Sequence, residues 1–128
     1  MRILALCIVL LLTGCLPSDE VAPAPPLPTP ATQQLTANPP ALSLSASALP
    51  AGGSYPTVTV TQAGVNSAPS LVTAQSTCIS HGNVTIVTST ANGNSATFSI
   101  QALQTGSCVL VFGGINGATL IVPVTVTP

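Results

Sequence analysis

Cys78-x-x-His81, together with Cys108, is the one set of side chains in the later part of the chain that could hold a metal ion or carry a redox reaction. A thiolate and an imidazole at this spacing make half of a zinc site, and Cys108 would supply a third ligand. A closed zinc site wants four ligands, and copper held by thiolates needs both sulfurs reduced. Other chemistries find still less. Hydrolysis needs a base oriented by a carboxylate, or a pair of carboxylates, and His81 has no such companion among the many Ser and Thr. Gly113-Gly114-Ile115-Asn116-Gly117 is glycine-rich enough to suggest a phosphate cradle, but it lies between two strand-like runs without the helix whose amino terminus would bind the anion. A hairpin loop is the expectation there.

These chemistries fail for a compositional reason. Arg2 is the single basic residue and Asp19 and Glu20 are the only acids, so from Val21 onward the chain has no Asp, Glu, Lys or Arg. Phosphate backbones are held mainly by Lys and Arg, and one Tyr and two Phe offer little for base stacking, which excludes nucleic acid as a partner. Anionic lipid headgroups are excluded by the same lack, leaving covalent acylation as the available membrane link. Hydropathy is positive overall. Even so, the apolar residues beyond Cys15 interleave with Thr, Ser, Asn and Gln, and none of the runs approaches the ~20 residues a membrane helix needs. High β-branched content without charge is also unlike a disordered composition. No catalytic residue, no metal and no cofactor are expected.

Two features precede that uncharged part. Met1-Arg2 and the apolar run 3–12 have the form of a secretory signal peptide, too short to span a bilayer. The run ends in Leu12-Thr13-Gly14-Cys15, which resembles the lipobox of bacterial lipoproteins. That resemblance implies diacylglycerol transfer to Cys15, cleavage between Gly14 and Cys15, and acylation of the new amino terminus. Such an anchor exceeds the two-signal threshold for stable membrane attachment. Leu16 after the cysteine resembles the pattern of lipoproteins sorted to the outer membrane of the cell envelope. In a bacterium the triplet Asn83-Val84-Thr85, which matches a glycosylation acceptor, carries little weight. Residues 15–40 then form a Pro-rich tether including Pro23-Ala24-Pro25-Pro26-Leu27-Pro28-Thr29-Pro30, where missing amide hydrogens rule out helix and central strand. Read as a disordered but extended linker, it would lift the folded domain by up to ~75 Å from the bilayer.

Residues 41–128 alternate with period two. Strands are expected at 42–46, 57–62, 71–75, 84–88, 96–102, 108–112 and 118–127, separated by breakers such as Asn92-Gly93-Asn94 and 113–117. The spacing suits an all-β, antiparallel sandwich of about seven strands, and no window supports an amphipathic helix. Thr57-Val58-Thr59-Val60-Thr61, Ala96-Thr97-Phe98-Ser99-Ile100, the run 105–112 and the closing run 122–127 resemble bacterial immunoglobulin-like domains. The chain departs from antibody-type domains in having no Trp and in placing its first cysteine after the third strand. In an immunoglobulin-like sheet the third and sixth strands are neighbours, and the chain is expected to be exported to an oxidising side. The resemblance therefore implies a Cys78–Cys108 disulfide.

The organisation expected is thus signal peptide 1–14, lipidated tether 15–40 and immunoglobulin-like domain 41–128. The expected function is a non-catalytic, membrane-anchored lipoprotein presenting an interaction or structural domain to a protein or glycan partner. Two alternatives remain: a small lipoprotein subunit of an envelope secretion, pilus or conjugation assembly, and a metal or redox protein using Cys78, His81 and Cys108.

Overall fold

A computed structural model of the chain describes residues 33–46 and 53–128. The expected signal peptide, Cys15 and the tether up to residue 32 lie outside the described residues. Among the described residues eight strands form two four-stranded sheets: β1 Leu35–Asn38, β2 Leu42–Ser45, β3 Thr57–Gln62, β4 Ser70–Leu71, β5 Val84–Asn92, β6 Ser95–Ala102, β7 Gly106–Gly113 and β8 Thr119–Thr127. One sheet has the order β1-β3-β6-β5 and the other β2-β8-β7-β4. A short helix, α1, covers Thr77–Ser80 between β4 and β5. Among the described residues no helix is long and apolar enough to cross a membrane.

Alternation decides which residues meet between the sheets. Val58 and Val60 of β3, Ala96, Phe98 and Ile100 of β6, Leu110 and Phe112 of β7, and Val122, Val124 and Val126 of β8 turn inward and are buried. Phe98 and Phe112, the only two Phe of the chain, lie on opposite sheets and meet with ring centroids 4.9 Å apart at 44°. Such a tilted pair adds about 0.5–1.5 kcal/mol beyond its buried area.

Three features differ from the sequence-based expectation. A strand lies within the segment read as tether: β1 pairs antiparallel with β3, from Leu35 opposite Gln62 to Asn38 opposite Thr59. The prolines pause between Pro30 and Pro39, so these four residues keep their amide hydrogens, and Leu35 enters the core. Pro39 and Pro40 then carry the chain to the other sheet. There β2 runs parallel to β8, Leu42 opposite Val124 and Leu44 opposite Val126, so the sandwich is not wholly antiparallel. Pro123 sits one residue ahead of the first of these pairings, where its missing amide hydrogen costs the β2 ladder nothing. The strand expected at 71–75 shrinks to Ser70–Leu71, succeeded by a 3-10 turn at Thr73–Gln75 and by α1.

Two buried amides fasten the ends of the sandwich. Gln62, completely buried at the end of β3, donates through Nε2 to the carbonyls of Gln33 (3.3 Å) and Ile115 (3.1 Å), and its Oε1 accepts from the Ile115 amide at 3.0 Å. The β7–β8 loop and the entering chain are thereby tied to β3. Asn83 does the same at the opposite end, donating through Nδ2 to the carbonyls of Gln104 and Thr105, both at 3.3 Å. A glycine lies over each amide: a Cβ on Gly114 would stand 2.2 Å from Gln62 Oε1, and one on Gly106 would stand 2.9 Å from Asn83 Nδ2.

Gly114→Ala should therefore displace Gln62 and lower unfolding free energy by about 1–3 kcal/mol, the cost of unpairing a buried polar group. In a Gln62→Ala background the same substitution should cost little more, because the clash is gone. Urea denaturation of the two single variants and the double variant measures this coupling, and full additivity would contradict it.

Candidate functional site

The structure brings Cys78 and Cys108 together, and among the described residues His81 is part of no cluster of three or more groups that could hold a metal ion. Cys78 is the buried residue of α1, Cys108 lies in β7, and they form a disulfide with Cα atoms 4.9 Å apart across a separation of 30 residues. The bond does not join two strands as the sequence suggests, because the expected third strand ends at Leu71 and Cys78 lies in α1, beyond the 3-10 turn at Thr73–Gln75. It ties the connection between the sheets to β7. His81 terminates α1 in the exposed position after Ser80, its amide donating to Thr77 O at 2.9 Å. With both sulfurs in one bond, the Cys78-x-x-His81 pattern offers no thiolate to a metal.

Gly113–Gly117 is the expected hairpin loop, with Gly113 opposite Thr119 and a 3-10 turn at Ile115–Gly117. Two of its amides are already used: Ile115 donates to Gln62, and Gly114 donates to Ala118 O at 2.8 Å. An anion would have to displace these bonds.

The remaining described surface is rich in hydroxyls and amides, with Val87, Leu103, Ile115 and Ile121 as its exposed large hydrophobic side chains. On the outer face of the β1-β3-β6-β5 sheet the register aligns three cross-strand rows. Asn38, Thr59, Thr97 and Thr90 form one, Thr36, Thr61, Ser95 and Asn92 a second, and Thr57, Ser99 and Thr88 a third. Thr59 and Thr97 share a hydrogen bond of 2.9 Å, and Thr61 and Ser95 one of 2.7 Å. Lateral bonding of this kind stabilises the sheet by a few tenths of a kcal/mol to about 1 kcal/mol per pair.

The two sheets differ at the edges that face β5 and β4. Beyond the two residues of β4, the open amides of β7 are taken by side chains: Val111 donates to Ser76 Oγ at 3.0 Å and Val109 to Thr77 Oγ1 at 2.9 Å. Hydroxyls thus stand in for a strand and close that edge. The edge of β5 has no such cover among the described residues. Because β4 is short, the inner face of β5 beyond Ile86 is also left open, giving a cleft of about 280 Å³ lined by Leu71, Ile86, Ser89, Ala91 and Phe98 among others. Sequence reasoning missed Ser76, Thr77 and this cleft, since only the truncation of β4 gives them their places. Gln62 had a visible signal: it continues the inward series Val58, Val60 as an amide where a hydrocarbon is expected.

No family model, no curated protein and no solved structure matches the chain.

Cys78 and Cys108 should resist alkylation until a reductant is added, and the Cys78→Ala/Cys108→Ala chain should lose about 3–4 kcal/mol of stability for a closed loop of this length. Peptide mapping of alkylated cysteines and denaturant melts check both. Ready alkylation of the two without reductant would revive the metal and redox alternative.

Proposed function

We propose that the chain is a lipid-anchored lipoprotein of the bacterial cell envelope, favouring the outer membrane, whose sandwich is an immunoglobulin-like interaction or structural module and not an enzyme. The observation that carries this reading is the lack of any Asp, Glu, Lys or Arg from Val21 onward. Without them there is no oriented base, no paired carboxylate and no cationic clamp, so the chemistry left to the surface is contact through hydroxyls, amides, backbone and a few exposed apolar side chains.

Three further observations support the parts of this reading. Leu12-Thr13-Gly14-Cys15 directly behind the apolar run supports lipid on Cys15, and an acylated amino terminus needs no basic patch to hold a bilayer. The sheet orders support the immunoglobulin-like assignment. If β1 and β3 to β8 are lettered A to G, one sheet is A-B-E-D and the other holds C-F-G, with β2 as a second segment of the first strand beside G. Gln33, the first described residue, lies at the end that carries the loops 63–69, 93–94 and 114–118, where its side chain meets Asn116. A tether ahead of Gln33 would enter at that end, and α1, the 103–105 turn and Pro128 occupy the other. A protein or glycan partner, or the neighbouring subunits of an envelope assembly, would be met without desolvating ions.

Cells expressing the full chain should incorporate labelled palmitate into it, and Cys15→Ala should abolish both the label and retention in the membrane fraction. Unlabelled wild-type protein would sink the lipoprotein reading. Purification from detergent extracts then separates a free-standing module from an assembly subunit, which should bring stoichiometric partners with it.

A further inference from the structure

We infer that residues 88–92 of β5 are a self-association edge, and that two copies of this chain pair there antiparallel about a two-fold axis at Thr90, joining their β1-β3-β6-β5 sheets into one. The proposal concerns the sandwich alone and does not depend on lipid at Cys15.

The register supplies the geometry. β5 and β6 are joined by the two-residue turn Gly93-Asn94, with Asn92 opposite Ser95 and Gly93 at positive φ (58°). In such a hairpin the residues flanking the turn exchange hydrogen bonds, and alternation repeats this at Thr90–Thr97 and Thr88–Ser99. The amides and carbonyls of Ser89 and Ala91 are therefore the ones that face the open edge. A two-fold axis at Thr90 places Ser89 of one copy opposite Ala91 of the other, and the reverse. The outward groups of both residues are satisfied symmetrically by four backbone hydrogen bonds. Thr88 falls opposite Asn92.

The side chains agree with that register. On the outer face the row Asn38–Thr59–Thr97–Thr90 would meet its own copy at Thr90, continuing the hydroxyl ladder already bonded at Thr59–Thr97. On the inner face Ser89 and Ala91 are small, so nothing at the edge blocks approach, and the second copy would wall the apolar cleft beside Leu71 and Phe98. Charge agrees as well. Edge strands ordinarily avoid pairing through charged side chains or Pro, and 88–92 has neither. An uncharged domain also has no net repulsion between copies. One protective device is present: the ladder slips between Ile86 and Thr88, a bulge at Val87 that confines pairing to the last five residues of the strand.

The register is testable because Thr90 would form a non-hydrogen-bonded pair with itself across the axis. Such pairs hold Cα atoms ~4.5 Å apart, within the ~4.4–6.8 Å a disulfide spans. With diamide as oxidant, full-length Thr90→Cys in detergent should give a disulfide-linked dimer at least ~10-fold faster than Thr88→Cys, since like-for-like register excludes the second. Sedimentation of the wild-type full chain should show a dimer that Thr90→Lys reduces to monomer, because like charges would face each other across the axis, while Thr90→Lys keeps the melting temperature of dilute wild type. A wild-type chain that stays monomeric at the highest concentration it tolerates overturns the proposal. So does a dimer that survives Thr90→Lys, or equal cross-linking at positions 88 and 90.

Discussion

A folded segment without ions has to satisfy its polar groups with neutral hydrogen bonds, and most of the architecture of this protein derives from that constraint. Gln62 and Asn83 take roles that an ion pair could fill elsewhere, each joining a strand end to a loop through an amide that can both donate and accept. Ser76 and Thr77 complete the edge of β7 with hydroxyls. Among the described residues, no buried side-chain nitrogen or oxygen is without a partner. A network of this kind is nearly independent of salt and of pH between the usual acid and base ranges, because it holds no charge to screen or titrate.

The core that this network encloses is small, and its cohesion is concentrated. Phe98 and Phe112 provide the aromatic contact between sheets, Val and Leu side chains fill the layers around them, and the Cys78–Cys108 bond holds the α1 connection against β7. Small domains bury a modest share of their surface, so a covalent link that narrows the unfolded ensemble matters more here than in a larger fold. The disulfide also anchors the segment that carries Ser76 and Thr77. Closure of the β7 edge and the thiol chemistry are therefore one structural device.

That device explains why the two neighbouring edges behave differently. On one sheet a two-residue strand is extended by hydroxyls that take the Val109 and Val111 amides, and on the other a longer strand ends in an uncharged five-residue stretch without cover among the described residues. The same missing length of β4 that needs Ser76 and Thr77 also opens the cleft beside β5. An interaction surface in this protein is thus defined by backbone availability and small side chains, and not by a cluster of reactive groups.

Period-two alternation was enough to place most strands, because burying one face of a sheet forces it, and β3 occupies the expected residues 57–62. Composition was enough to remove the ionic chemistries, since an absent residue type cannot be supplied by folding. Tertiary structure decided the rest. Leu35–Asn38 became a strand because β3 offered it an edge, which no local pattern of four residues could announce. Residues 73–75 form a turn in place of the expected strand, and 77–80 a helix, as the hydroxyls of Ser76 and Thr77 gain partners in β7, more than thirty residues away. The parallel β2–β8 pairing, the burial of Gln62 and the open edge at Ser89 and Ala91 likewise depend on which strand lies beside which. Alternation along one chain says which face a residue takes, and says nothing of its neighbour across the ladder.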